Sequence, residues 1–179
     1  VNWLGTVLSS RRSAEIALYD FGDPEWQDFA LAKREYWVNN PQRAQSNNSL
    51  VFWNKPKRTE LRDIFQMMID AGGSEPGFIN GEAARARAPW FAGVNPCAEI
   101  LLGDKSVCNL CEIDLAKFAG DSHSLHHAAR IVARANYRQT CVSFDDGILQ
   151  EAWDQNNEFL RLCGVGVTGV VRAHMNEYD

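Results

Sequence analysis

The sequence predicts an α/β fold built on a mainly parallel sheet. Short apolar or alternating segments, typical of strands, recur between longer segments whose apolar residues repeat with the helical period. Strands that alternate with helices favour parallel pairing, because each helix can return the chain to the edge from which the next strand starts. Hydrophobic residues make up 45% of the 179 residues, so a packed core is available.

The first half of the chain is predicted to contain a strand over 13–21, a helix over 24–37, a strand over 50–53 and a helix over 59–71. The first strand is indicated by period-two alternation, and the first helix by an aspartate N-cap followed by proline at the first helical position. The second helix has apolar residues at helical spacing and ends at two glycines.

The second half is predicted to contain a strand over 106–115, an amphipathic helix over 125–137, a short helix over 148–154, a strand over 159–165 and a last helix from about 168. The prediction again follows the change of hydrophobic period along the chain. No internal repeat is present, so the pattern indicates one continuous α/β arrangement.

Composition argues against several classes of function. The net charge of −5 lacks the basic excess of a nucleic-acid-binding surface, and no apolar run approaches the roughly 20 residues of a membrane span. Five cysteines, an odd number, favour a reducing cytoplasm over a secreted disulfide framework. The chain starts at Val1 without methionine and stops at Asp179 in a helix-like pattern, so we expect a fragment that is inactive alone.

The segment 95–99 brings an amide, a thiol and a carboxylate together around a proline. Proline stiffens such a segment, and in an extended loop alternate side chains share a face, which predicts Asn95, Cys97 and Glu99 on one side. The apolar run 100–102 anchors the loop. A buried amide and carboxylate are costly to leave unpaired, so the pattern indicates a polar substrate.

Cysteine and histidine spacing offers a zinc site as an alternative. Cys108 and Cys111 are followed by His123 and His127, close to the spacing of Cys2His2 sites. The residues between them read as a strand continuing into a turn, and a chain with ample apolar core has little need of a structural metal. We therefore interpret Cys111 as a small core residue, and His126 and His127 as exposed at the start of a helix.

Gly164 to Gly169 fit the pattern G-x-G-x-x-G, which offers a dinucleotide site as a third alternative. That site also needs a βαβ unit and an acidic residue about 20 positions later. We interpret the segment as a tight turn from a strand to a helix.

The segments 95–102 (Asn-Pro-Cys-Ala-Glu-Ile-Leu-Leu) and 107–113 (Val-Cys-Asn-Leu-Cys-Glu-Ile) resemble the active-site finger loop of the ribonucleotide reductase large chain. Segments at 10–18, 39–49, 75–80 and 162–169 also resemble that family. The resemblance implies the central part of a ten-stranded α/β barrel, with 1–179 as a single partial catalytic domain and the finger loop at about 93–108.

The resemblance also implies roles for individual residues. Cys97 becomes the transient thiyl radical that removes the 3′-hydrogen of a ribonucleotide, Glu99 acts as general base and Asn95 hydrogen-bonds the substrate hydroxyls. Cys108 is one half of the redox-active pair, whose other half is expected upstream of the chain.

A further set of residues resembles the loop that relays effector identity to the substrate: Asn40, Gln42, Arg43 and Ser46. The implied partners are a ribonucleoside di- or triphosphate, a dNTP effector and a thioredoxin- or glutaredoxin-type reductant.

The Asn-Pro-Cys-x-Glu form resembles the adenosylcobalamin-dependent reductases, which implies adenosylcobalamin as cofactor, with its binding residues outside this chain. Ala98 departs from the glycine most familiar there. The alternative is a reductase chain whose radical comes from a separate metal subunit. No metal ligand is implied within the chain itself.

Overall fold

The computed structural model describes residues 15–144 and 147–173. The chain divides into two compact units, Val1–Gly103 and Asp104–Asp179. Strands and helices alternate in both, and the strands that follow helices pair in parallel, which confirms the α/β prediction. Across the described ranges, no helix combines the length and the apolar character needed to cross a membrane.

The first unit is built on three parallel strands, β1 (Glu15–Asp20), β2 (Ser46–Phe52) and β3 (Gly77–Asn80), with β2 in the centre. Its helices are α1 (Trp26–Ala30), α2 (Tyr36–Asn39), α3 (Arg58–Ala71) and α4 (Gly81–Arg87). A short antiparallel hairpin follows, formed by β4 (Gly93–Val94) and β5 (Leu101–Leu102).

Side chains on the two faces of β2 belong to two different apolar clusters. Leu50 and Phe52 pack with Ile64 of α3 on one face. Val51 points to the opposite face and packs with Val94 of the hairpin. The hairpin is therefore seated on the face of the sheet that α3 leaves free.

The predicted helix over 24–37 is wrong in its middle, where a turn separates α1 from α2. Glu35 takes a left-handed φ of 52°, and the N-cap is Glu25, without a side-chain cap hydrogen bond. Within the turn, the Ala32 carbonyl accepts from the Arg43 guanidinium and the Lys33 ammonium lies 2.8 Å from Glu75 Oε1. These tertiary contacts compete with a continuous helix.

The central strand starts earlier than predicted, at Ser46 rather than at Leu50. Its polar first residues, Ser46, Asn48 and Ser49, are nevertheless buried: all three pair with β1, and Ser49 also pairs with β3. The predicted helix over 59–71 is confirmed as α3, which ends at Gly72 with a left-handed φ of 66°.

The second unit contains the parallel pair β6 (Asn109–Asp114) and β7 (Cys163–Thr168), with helices α5 (Ser122–Gln139) and α6 (Glu151–Leu160). Asn136 of α5 is fully buried, and its Nδ2 donates to the Asn109 carbonyl at 3.1 Å and to the Gly164 carbonyl at 2.7 Å. This one amide joins α5 to both strands.

The sequence placed the later elements of this unit imprecisely. The strand at 106–115 and the helix at 125–137 are confirmed with shifted ends, as β6 and α5. The helix predicted over 148–154 and the strand predicted over 159–165 are present but displaced, because α6 runs from Glu151 to Leu160 and β7 begins only at Cys163. Thr168 ends β7 rather than starting a helix, and 174–179 lie outside the described residues.

Glycines of the G-x-G-x-x-G pattern lie inside a strand. Gly164 and Gly166 belong to β7, where they pair with Leu110 and Glu112 of β6. A Cβ on Gly164 would lie 2.8 Å from Leu110 Cδ2, so a larger residue there would require the Leu110 side chain to move. Both the dinucleotide interpretation and the strand-to-helix turn are therefore wrong for these two glycines.

Candidate active site

A tight turn closes the hairpin formed by β4 and β5. The Ala98 N–H donates to the Asn95 carbonyl at 2.8 Å, with Pro96 and Cys97 at the two central positions. Proline suits the first of these, because its fixed φ matches the turn. The Asn95 N–H donates to the Ile100 carbonyl at 3.2 Å and completes the base of the hairpin.

The side chain of Asn95 accepts a hydrogen bond of the hairpin that a backbone carbonyl would otherwise accept. Because the Asn95 carbonyl accepts from Ala98, the Ile100 N–H donates instead to Asn95 Oδ1, at 2.9 Å. The other end of the amide donates from Nδ2 to Glu99 Oε1 at 2.6 Å. Asn95 is 4% exposed, so this amide fixes the orientation of the Glu99 carboxylate from a buried position.

Cys97 is exposed on the turn. Since 96–98 form a turn, the expected extended alternation of Asn95, Cys97 and Glu99 is wrong in its geometry. Asn95 and Glu99 are nevertheless brought into contact, because the turn folds the chain back on itself. Thus the amide and the carboxylate lie at hydrogen-bond distance, flanking the thiol along the chain.

Ala98 has a left-handed backbone, with φ at 68°. Such a conformation favours glycine and costs a residue with a Cβ roughly 1–2 kcal/mol. The departure from glycine noted in the sequence therefore falls at a position where the backbone favours glycine.

Sequence reasoning missed Asn47, whose Nδ2 donates to the Pro96 carbonyl. Asn47 belongs to β2, so the central strand contacts the turn next to Cys97. In the sequence it is indicated only as part of the segment 39–49, which resembles the family.

The four residues predicted for the specificity loop lie around a 3-10 helix over Pro41–Gln45. Gln42 Nε2 donates to Asn40 Oδ1 at 3.3 Å, and Ser46 Oγ donates to the Arg43 carbonyl at 3.1 Å. This loop therefore leads directly into β2, with Ser46 as the junction.

Two charged residues form hydrogen bonds at the start of β2, and neither residue was predicted from the sequence. Lys33 Nζ donates to the Ser46 carbonyl and to Glu75 Oε1, while Glu75 Oε2 accepts from the Asn48 N–H at 3.2 Å. Glu75 lies in a segment singled out at 75–80, but no sequence signal indicated Lys33.

Cys108 lies in the second unit, half-buried, immediately before β6. Cys111 is half-buried within β6, while His123 and His127 are exposed on α5. Over residues 15–144 and 147–173, no three His, Cys, Asp or Glu side chains are grouped as a metal site would require. The zinc alternative thus finds no support in the described structure.

Comparison with known proteins gives a family match. Residues 54–178 match the family described as ribonucleotide reductase, barrel domain. These residues include Asn95, Cys97, Glu99 and Cys108, whereas the loop at 40–46 precedes them. No solved structure matches the chain significantly.

Among curated proteins, the chain is similar to two enzymes named adenosylcobalamin-dependent ribonucleoside-triphosphate reductase. It is 27% identical to that of Lacticaseibacillus paracasei over 179 residues, covering 94% of the chain. It is 30% identical to that of Lactobacillus gasseri over 173 residues, covering 89% of the chain. The chain spans 22% of the length of each relative.

Proposed function

Because this chain belongs to the ribonucleotide reductase barrel-domain family, we propose that it forms part of the catalytic core of an enzyme that converts ribonucleotides to 2′-deoxyribonucleotides. The supporting observation is the hairpin tip, where the Asn95 amide holds the Glu99 carboxylate at 2.6 Å and Cys97 is exposed between them in sequence. A thiol, a carboxylate and an amide on one stiff turn are the groups that this reaction needs.

Each residue of the tip has a chemical task in this proposal. Cys97, as a thiyl radical, removes the 3′-hydrogen of the ribose. Glu99 accepts the proton of the 3′-hydroxyl, which has to come within hydrogen-bond reach of its carboxylate. Asn95 holds Glu99 through one Nδ2 hydrogen and has a second one to offer to a substrate hydroxyl.

The reduction requires two further electrons and protons. Two thiols supply them by forming a disulfide, while the 2′-hydroxyl leaves as water and Cys97 recovers its hydrogen. The balance is therefore one ribonucleotide and two thiols giving one deoxyribonucleotide, one disulfide and one water. We assign Cys108 as one of these thiols, and a thioredoxin- or glutaredoxin-type protein as the reductant that regenerates the pair.

The cofactor proposed is adenosylcobalamin, which the relatives carry in their names. When bound, it supplies the radical chemistry that turns the Cys97 thiol into a hydrogen-abstracting group. The residues that bind the cofactor are assigned to parts of the protein outside this chain, and the Cys97 thiol is the group here on which its radical chemistry would act.

The remaining partners follow from the same relatives and from the sequence resemblance. We propose a ribonucleoside triphosphate as substrate and a dNTP effector whose identity is read by the loop of Asn40, Gln42, Arg43 and Ser46. The composition favours a cytoplasmic enzyme.

Cys97→Ser in the full-length protein tests this function. We expect deoxyribonucleotide formation from ribonucleoside triphosphate and adenosylcobalamin to be abolished, since a serine hydroxyl is a far poorer hydrogen-atom donor. Cys141→Ser, at another exposed cysteine, is the matched control and should retain activity. Product formation by Cys97→Ser would exclude the proposal, and activity only with a separate metal subunit would favour the alternative source of the radical.

A further inference from the structure

The turn that carries Cys97 is held by a residue from another element of the same unit. Asn47 Nδ2 donates to the carbonyl of Pro96, the residue that directly precedes Cys97. That carbonyl belongs to the Pro96–Cys97 peptide, so its direction sets the backbone from which the thiol projects. Apart from this contact, the described hydrogen bonds of the turn come from Asn95, Ala98 and Ile100 of the hairpin itself.

Asn47 is itself held in place by the sheet. It lies in β2, the central strand, where it pairs with Ile16 of β1. Its neighbour Ser46 is 1% exposed and donates from Oγ to the Arg43 carbonyl at 3.1 Å. A side chain on such a rigid strand can fix a neighbouring loop more closely than a residue on a mobile segment can.

We propose that Asn47 is a positioning residue for Cys97, acting through the Pro96 carbonyl. This inference rests on the proposed function for its consequence in catalysis, but the contact itself concerns only the hairpin. Because Asn47 directly follows Ser46, the same strand also connects the loop at 40–46 to the reactive cysteine.

The sharpest variant is Asn47→Asp in the full-length protein, since it keeps the shape of the side chain but replaces the donor with an acceptor. Asn47→Gln keeps an amide, and the exposed setting of Asn47 leaves room for the longer side chain. Asn54→Asp, an exposed asparagine just after β2, is the matched control for the added charge.

Two measurements decide the proposal. Hydrogen exchange at the Ala98 and Ile100 amides should become about tenfold faster in Asn47→Asp, while exchange in α3 stays as in the wild type. The kcat for deoxyribonucleotide formation should fall about tenfold with KM within about twofold, because the thiol is misplaced rather than substrate binding lost. In Asn47→Gln, the exchange rates and the kcat should lie between those of Asn47→Asp and the wild type. In Asn54→Asp, both should match the wild type.

The outcomes are separable. Unchanged exchange at Ala98 and Ile100 would overturn the proposal, and so would an equal rise of exchange in α3, which indicates general loosening of the unit. If the wild-type enzyme makes no deoxyribonucleotide but Asn47→Asp still loosens the turn selectively, the proposed function fails and the positioning role stands.

Discussion

Cys97 and Cys108 are held by different kinds of structure. Cys97 lies on a tight turn whose shape depends on side chains: Asn95 closes the hairpin and Asn47 reaches the turn from β2. Cys108 directly precedes a regular parallel strand, where the next residue, Asn109, pairs with Cys163. The turn of Cys97 depends on side-chain hydrogen bonds. The strand that follows Cys108 is paired through its backbone and is joined to α5 by the Asn136 amide.

The difference matches the tasks proposed for the two thiols. A hydrogen-abstracting group must meet one atom of the substrate in a fixed direction, and side chains from neighbouring elements can set that direction. A redox thiol must approach its partner and later be reduced, for which a half-buried position at the end of a strand is suitable. The following variants test the comparison by changing either a thiol or a residue that holds its segment in place.

The largest effect is expected from Cys108→Ser in the full-length enzyme. Net reduction should be abolished, because no disulfide can form, while Cys97 still removes the 3′-hydrogen. The measurement compares deoxyribonucleotide formation with tritium release from 3′-tritiated substrate, and Cys163→Ser, an exposed cysteine of β7, serves as control. Loss of both signals would mean that Cys108 acts before hydrogen abstraction and would break the comparison.

Asn95→Asp should change the pH dependence of the Cys97 site. The variant keeps an acceptor for the Ile100 N–H but places a second carboxylate against Glu99. Two ionised carboxylates at hydrogen-bond distance repel each other, so the acidic limb of kcat/KM in the variant should lie at higher pH than in the wild type. If the acidic limb of kcat/KM stays at the same pH, then either Glu99 is not the base or the side chains at 95 and 99 separate during turnover.

Asn136→Ala tests the support of the Cys108 strand. The fully buried amide donates to the Asn109 and Gly164 carbonyls, and its removal leaves these two half-buried acceptors without that donor. We expect a loss of about 2–3 kcal/mol, seen as faster hydrogen exchange in β6 and β7. Gln139→Ala, exposed on the same helix, should have little effect. Unchanged exchange would mean that the ladder alone holds the strand.

The smallest effect is expected from Ala98→Gly. Glycine removes the cost of the left-handed φ at this position, about 1–2 kcal/mol. It also loses the packing of the alanine methyl against the cluster of Val51 and Val94, worth up to about 0.8 kcal/mol. A net gain of about 0.5–1 kcal/mol should slow exchange at the Ile100 amide. Faster exchange would show that the packing of the Ala98 methyl stabilises the turn by more than the left-handed φ destabilises it.

Elements with a long, regular hydrophobic period were predictable because their signal is local. The helix α3 with its glycine end, the long helix α5 and strands β1 and β6 follow from the pattern of the residues themselves. The candidate residues Asn95, Cys97 and Glu99 could also be proposed from the sequence, since they fall within five consecutive positions.

Other features depended on contacts between distant parts of the chain. The turn between α1 and α2 is held by partners at Arg43 and Glu75, and no local pattern reveals them. Likewise, Ser46 and Asn48 are polar and lie outside the strand predicted over 50–53, but pairing with β1 and the contacts of Lys33 and Glu75 place them in a buried strand.

The sequence by itself determined the class of fold, the family resemblance and the chemistry available at 95–99. Only the tertiary structure decided that this segment is a turn, that the Asn95 amide closes it and orients Glu99, and that Asn47 holds the peptide before Cys97. The physical reason is the range of the interactions: hydrophobic period and turn preference act between near neighbours, whereas a side-chain amide finds its carbonyl only after the strands have paired.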